Sequence, residues 1–131
     1  MQPSSIRILV VDEFEPWRRF ASLTLRKKPG LQIVGEASNG AEAFQRAVEL
    51  EPDLILLGIG HPELDGIEAA RRIHAIVPEA KIIFLSEESS VDVVQEAMSI
   101  GASAYVFKTM AAIELLTAVE TVLSGLKFVS I

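Results

Sequence analysis

The chain has 131 residues, half of them hydrophobic, which is the size and composition of one compact domain with a full core. Eighteen acidic residues outnumber 12 basic ones and give a formal net charge of -6, so direct nucleic-acid binding by this chain is not expected. With no cysteine and two histidines, the sequence excludes disulfides, thiolate nucleophiles and multi-histidine zinc cages, and it fits a reducing cytoplasm.

Predicted strands and helices alternate along the chain. Short runs of apolar residues bounded by turn residues predict strands, and apolar residues spaced three and four apart predict helices. In chain order, these are a strand at 6–11, a helix at 16–28, a strand at 32–38, a helix at 40–50, a strand at 53–58, a helix at 67–76, a strand at 81–85, a helix at 91–100, a strand at 103–107 and a helix at 111–124. No apolar run is long enough for a signal peptide or a membrane span, and no linker divides the chain. We therefore expect residues 1–131 to form a single soluble domain without membrane contact.

The alternation of strands with helices predicts a parallel sheet with helices on both faces, because the run Ile8-Leu9-Val10-Val11 is apolar on both sides of its strand. This is a doubly wound α/β domain. In such sheets, ligands bind at the carboxyl ends of the strands, so chemistry is expected where each strand ends.

Polar side chains follow three of the predicted strands. Asp12 and Glu13 end the first, Ser86 ends the fourth and Lys108 ends the fifth. Adjacent carboxylates are the ligands that a hard cation such as magnesium prefers, and a lysine and a hydroxyl can hold phosphoryl oxygens. Each residue alone has an ordinary structural explanation as a helix cap or a solvated charge, but the four together predict a site for a metal ion and a phosphoryl group.

The segments that carry these residues resemble the receiver domains of two-component response regulators. LVVDEFEPWRR is similar to the acidic motif of that family, PDLILLGIGHPELDGIEAARRI to its phosphoacceptor segment, FLSEESS to its hydroxyl motif and GASAYVFK to its switch aromatic, here Tyr105, and lysine. The resemblance implies a flavodoxin-like fold with a five-stranded sheet in the order 2-1-3-4-5. The last segment, AVETVLSGLKFVSI, is similar to the end of receivers of the NarL/LuxR class, in which a helix-turn-helix DNA-binding domain commonly follows.

One position departs from the family pattern. The family's phosphoacceptor aspartate ends the third strand, and the corresponding residue here is Gly58, which has no side-chain nucleophile. A shifted alignment does not recover an aspartate, because Pro62 and Asp65-Gly66 keep their expected spacing after Gly58. The resemblance therefore implies a receiver that cannot form an aspartyl phosphate at residue 58.

The missing carboxylate also changes the expected metal site. By the resemblance, magnesium would retain Asp12, Glu13 and the backbone carbonyl of Gly60, and we expect weakened binding. Lys108 loses its usual partner on the third strand and is expected to turn to Asp12, to Glu13 or to water.

Two further residues have alternative interpretations. His61 could accept phosphate or bind a metal ion, although a solvated loop histidine is the simpler interpretation. Asp12 or Glu13 could also replace the missing phosphoacceptor, but this is less favoured than phosphorylation of His61. Trp17 could anchor a partner or pack, partly buried, against the neighbouring loop.

The expected function is a non-enzymatic, cytoplasmic pseudo-receiver that takes part in phosphorelay signalling and transcription control. It would act by forming homodimers or by binding a protein partner, either a histidine kinase or another regulator, and it would reach DNA through a further carboxyl-terminal domain. One alternative is a conventional receiver inactivated by an Asp-to-Gly replacement, which Gly58→Asp would reactivate. Another is a stand-alone ligand-binding module that uses the space left at Gly58.

Overall fold

The computed structural model describes residues 5–59 and 63–130. In chain order, its strands and α-helices are β1 (Ile6–Val11), α1 (Glu15–Leu25), β2 (Leu31–Ala37), α2 (Gly40–Leu50), β3 (Leu54–Ile59), α3 (Glu63–Ile76), β4 (Lys81–Ser86), α4 (Val91–Ser99), β5 (Ala104–Phe107), α5 (Ala111–Leu123) and β6 (Phe128–Val129), and a short 3-10 helix (Lys108–Met110) joins β5 to α5. Within this part of the chain, no helix is long and apolar enough to cross a membrane.

The sheet is parallel throughout, and its strand order is β2-β1-β3-β4-β5-β6. The predicted doubly wound α/β fold is confirmed. The prediction of five strands is wrong, because residues 128 and 129 add a sixth strand beside β5. The sequence carries little sign of β6, since two residues are too few to show the alternation that predicts a strand.

Each face of the sheet is covered because successive side chains of a strand point to opposite sides. On one face, Leu9 and Val11 of β1 belong to the cluster that buries α2, α3 and α4; on the other, Ile8 and Val10 pack with α1 and α5. All four side chains are at most 3% exposed. The continuous apolar run therefore has the two-sided burial that the sequence predicts.

Two helix boundaries differ from the prediction. Helix α3 begins at Glu63 rather than at residue 67, because its first turn lacks the apolar periodicity that reveals the rest of the helix. Helix α1 ends at Leu25 rather than at residue 28, and the chain turns there ahead of Pro29. The other boundaries agree within one residue.

The segment that contains β6 is attached to β5 by both backbone and side-chain hydrogen bonds. The Ser130 amide donates to the Tyr105 carbonyl at 2.9 Å, and the Phe107 amide donates to Ser130 Oγ at 3.0 Å. The same hydroxyl donates to Glu114 Oε1 of α5 at 2.5 Å. Ser130 is 4% exposed, so this contact fixes the end of the segment against the body of the domain.

Candidate functional site

The residues predicted from the strand ends meet at the carboxyl end of the sheet. The strand register places Val11 beside Leu57, which immediately precedes Gly58, and it places Ser86 beside Phe107, which immediately precedes Lys108. Four residues lie at this end of the sheet: Asp12, Gly58, Ser86 and Lys108. The parallel arrangement thus places, at or just after the ends of four strands, residues that are up to 96 positions apart in the chain.

Asp12 is held by its own backbone and by the start of α1. Its amide donates to the Ala37 carbonyl at 3.1 Å, and its carbonyl accepts from Arg18 Nη1 at 2.7 Å. The carboxylate atom Oδ1 accepts the Phe14 amide at 2.9 Å, while Oδ2 accepts no hydrogen bond from the described residues. Oδ2 is therefore the atom available for a charge interaction.

That interaction comes from Lys108. Its Nζ lies 2.8 Å from Asp12 Oδ2, and each of the two side chains is only 6% exposed. Of the three partners expected for Lys108, the structure selects Asp12. Burial makes this pair different from an exposed ion pair, because removing one partner leaves the other as an uncompensated charge away from water.

Gly58 provides the space in which the Asp12 carboxylate lies. A Cβ atom at residue 58 would lie 2.7 Å from Asp12 Cγ and closer still to Oδ2, distances that real Cβ contacts essentially never show. The backbone of Gly58 does not have a positive φ, so its conformation does not itself require glycine. A side chain at residue 58 would instead have to displace the Asp12 carboxylate from its present position.

Trp17 is a neighbour of Lys108 that the sequence analysis did not identify. Lys108 Nζ lies 4.9 Å from the centre of the Trp17 ring, within the range of a cation–π interaction. The ring is half-buried and packs edge-on against Phe20, with 5.4 Å between centroids. Partial burial is one of the two interpretations that the sequence offered for Trp17, but a pairing between residues 17 and 108 leaves no periodic signal in the sequence.

Ser86 and Tyr105 both bind the backbone of Glu88, in the loop between β4 and α4. Ser86 Oγ accepts the Glu88 amide at 3.0 Å, and the Tyr105 hydroxyl donates to the Glu88 carbonyl at 2.7 Å. Ser86 is 1% exposed and Tyr105 is fully buried. The predicted phosphate-site hydroxyl and the predicted switch aromatic therefore hold one loop conformation together.

The remaining site predictions concern the metal. Glu13 is exposed and forms no ion pair with Lys108 or any other described residue, whereas Gly60 and His61 lie outside the described part of the chain. No cluster of three or more histidine, cysteine, aspartate or glutamate side chains within 5–59 and 63–130 could hold a metal ion. Because Asp12 already has one oxygen on the Phe14 amide and the other on Lys108, the described residues, in this arrangement, do not fit the magnesium site that the resemblance implies.

Comparison with known proteins gives a consistent family. A family model described as the response regulator receiver domain matches residues 8–120. The transcriptional regulatory proteins LnrK and LiaR of Bacillus subtilis are 35% and 36% identical to the chain over 92% of its length. The matches cover 54% and 57% of those proteins, so the chain spans little more than half of their length. A crystal structure of a LuxR-family two-component response regulator from Aurantimonas sp. superimposes with a TM-score of 0.89 at 30% identity, over 95% of this chain and 89% of that one.

Proposed function

Because the chain belongs to the family of response regulator receiver domains, we propose that it is a pseudo-receiver, a non-enzymatic signalling module that takes no phosphate at residue 58. Its place is in two-component phosphorelay signalling, and its output is control of transcription. We also propose that residues 1–131 form a single domain.

The observation that supports the proposal most strongly is the arrangement at Gly58. A phosphoryl transfer to the end of β3 needs a side-chain oxygen there, and glycine supplies none. The Asp12 carboxylate, which lies in the space that such a side chain would need, is paired with Lys108 and shielded from solvent. It is therefore a poor substitute nucleophile, because an incoming phosphodonor would have to break the ion pair before reaching it.

The partners of such a module are proteins. We propose a histidine kinase or another regulator as the upstream partner and a second copy of the chain as the dimer partner. Relatives named as transcriptional regulatory proteins are matched over little more than half of their length, which supports a further domain as the route to DNA. We propose that this domain is a carboxyl-terminal helix-turn-helix domain. The net charge of -6 also supports DNA binding by a further domain, because it disfavours binding of the DNA phosphate backbone by this domain itself. A cytoplasmic location belongs to this proposal.

In this function, the polar groups expected at a receiver's phosphate site bind other residues of the same domain. They belong to Ser86, Tyr105 and Lys108. The hydroxyls of Ser86 and Tyr105 bind Glu88, and the Lys108 ammonium binds Asp12. We propose that the domain is held in one conformational state and signals through the surface that this state presents. Magnesium binding is proposed to be weak for the same reason.

The experiment is incubation of the chain with acetyl phosphate and magnesium, followed by intact-mass measurement. We expect no gain of a phosphoryl group on the parent protein. A stoichiometric gain would overturn the proposal, and mapping it to His61, Asp12 or Glu13 would identify the substitute acceptor. The heat-treated parent, incubated with the same donor, controls for non-specific labelling of unfolded chain.

A second candidate function is a conventional receiver whose aspartate has been replaced. The observation that favours it is that Ser86 and Lys108 still lie at the carboxyl end of the sheet. Gly58→Asp separates the two candidates. If this variant accepts phosphate and changes its oligomeric state, the rest of the switch is functional; a variant that accepts no phosphate supports a module that works without it.

A further inference from the structure

We infer that the Lys108 ammonium acts as an internal cation, which occupies Asp12 and thereby excludes a divalent metal ion from the carboxyl end of the sheet. This inference deepens the proposed function and rests on it for the identity of the site. It assigns the exclusion to Lys108 and Trp17 rather than to the absence of a carboxylate at residue 58 alone.

The first step is charge. Asp12 Oδ2 is buried and accepts no hydrogen bond from the described residues, so the ammonium at 2.8 Å is the group that compensates it. A divalent ion that approached the same oxygen would meet a fixed positive charge at close range, in a region where water screens weakly. Binding of the ion therefore requires that Lys108 leave.

The second step is space. The Asp12 carboxylate lies where a Cβ of residue 58 would be, so the ion pair in this geometry uses the space that Gly58 leaves. From this position, the carboxylate faces Lys108 and is 6% exposed, whereas the adjacent Glu13 is exposed to solvent. Two neighbouring acids that could share one cation are thus separated, one buried with the lysine and one in water.

The third step is the ring of Trp17. The ring lies 4.9 Å from Lys108 Nζ and gives the ammonium a second favourable neighbour besides Asp12. Phe20 packs against the ring and helps to fix its position. Trp17 is therefore a positioning residue, which lowers the tendency of Lys108 to leave the pair for water.

If Lys108 excludes the metal ion, its removal should raise the affinity of the protein for magnesium. In Lys108→Met, the Asp12 carboxylate is left buried without its cation, and a divalent ion that keeps several of its waters can then compensate the charge. We expect calorimetric titration with magnesium chloride to show affinity about tenfold or more above that of the parent protein. Lys127→Met is the matched control, because Lys127 is exposed and its removal changes the net charge by the same amount.

Two outcomes of this titration decide the inference. Tight binding by Lys108→Met that disappears when Asp12→Asn is added supports it, because the ion then uses the oxygen released by Lys108. Equal magnesium affinity for the parent, Lys108→Met and Lys127→Met overturns it. Neither outcome changes the phosphorylation result for the parent, so failure of this inference is distinguishable from failure of the proposed function.

A measurement on the folded parent keeps the inference testable if Lys108→Met does not fold. Trace acetylation with acetic anhydride, followed by peptide mass spectrometry, should modify Lys108 about tenfold or more slowly than Lys127, since Lys108 is buried in its ion pair. Trp17→Leu should accelerate modification of Lys108 while leaving that of Lys127 unchanged. Equal rates for the two lysines in the parent would overturn the inference.

Discussion

Replacement of Gly58 by alanine adds a single methyl group at the point where the Asp12 side chain approaches most closely. In a strand with ordinary φ, this change normally stabilises a protein by about 0.4–1 kcal/mol, because it restricts the unfolded chain. Here the new Cβ would lie 2.7 Å from Asp12 Cγ, so the carboxylate must rotate away from Lys108. Breaking a buried ion pair by loss of one partner costs about 3–5 kcal/mol.

The net effect follows from these opposing contributions. Asp12 lies at the end of its strand and can regain some hydration after it rotates, so part of the cost is recovered. We expect Gly58→Ala to lower the free energy of unfolding by about 2 kcal/mol, which corresponds to a urea midpoint about 1 M lower. Urea unfolding followed by the fluorescence of Trp17, the single tryptophan, measures this midpoint and also reports the environment next to Lys108.

The same substitution in an Asp12→Ala background isolates the cause. Without the carboxylate, the methyl group at residue 58 has no ion pair to displace. It would still lie 3.0 Å from the Val11 carbonyl oxygen, and this tight contact offsets the gain from restricting the unfolded chain, so we expect a net effect near neutral. The coupling energy of the double-mutant cycle should then be about 2 kcal/mol. If Gly58→Ala destabilises both backgrounds equally, the close approach to Asp12 is not the reason that residue 58 is glycine.

Two further predictions concern the hydrogen bonds around β5. Tyr105→Phe removes the hydroxyl that donates to the Glu88 carbonyl at 2.7 Å. We expect the free energy of unfolding to fall by about 1–2 kcal/mol and amide exchange to become faster in the loop between β4 and α4. Unchanged exchange there would show that the hydroxyl does not hold the loop. Ser130→Ala removes the hydroxyl that accepts the Phe107 amide and donates to Glu114. We expect hydrogen-exchange mass spectrometry to show loss of protection at β5 and β6. Full retention of protection would contradict a role of this side chain in fixing the segment.

The sequence was sufficient to predict the alternation of strands and helices and the meeting of polar residues at one end of the sheet. Both depend on periodicity and on parallel strands, which are properties of whole segments. The partner of Lys108 was left open, because Asp12 and Glu13 are adjacent and the sequence does not specify which side chain turns inward. The structure assigns it to Asp12, through a close approach that only the absence of a Cβ at residue 58 permits.

Other features depend on contacts between distant residues or on very short elements. The position of the Trp17 ring over Lys108 joins residues 91 positions apart and follows from side-chain packing rather than from a local pattern. Strand β6 has two residues, and backbone hydrogen bonds from Phe128 to Ser103 and from Ser130 to Tyr105 attach it to the β5 segment. Magnesium affinity and the dimer surface remain predictions.

The short strand β6 also affects how copies of this protein can associate. If β5 were the outermost strand, its free amide and carbonyl groups would present a template for an intruding chain, a familiar origin of aggregation. The pairing of Ala104 with Phe128 and of Tyr105 with Val129 uses that template internally. A two-residue strand offers little in its place, so continuation of the sheet into another molecule is disfavoured on this side. On the neighbouring helix α5, the Ile113 side chain is 75% exposed and offers an apolar surface to another molecule instead.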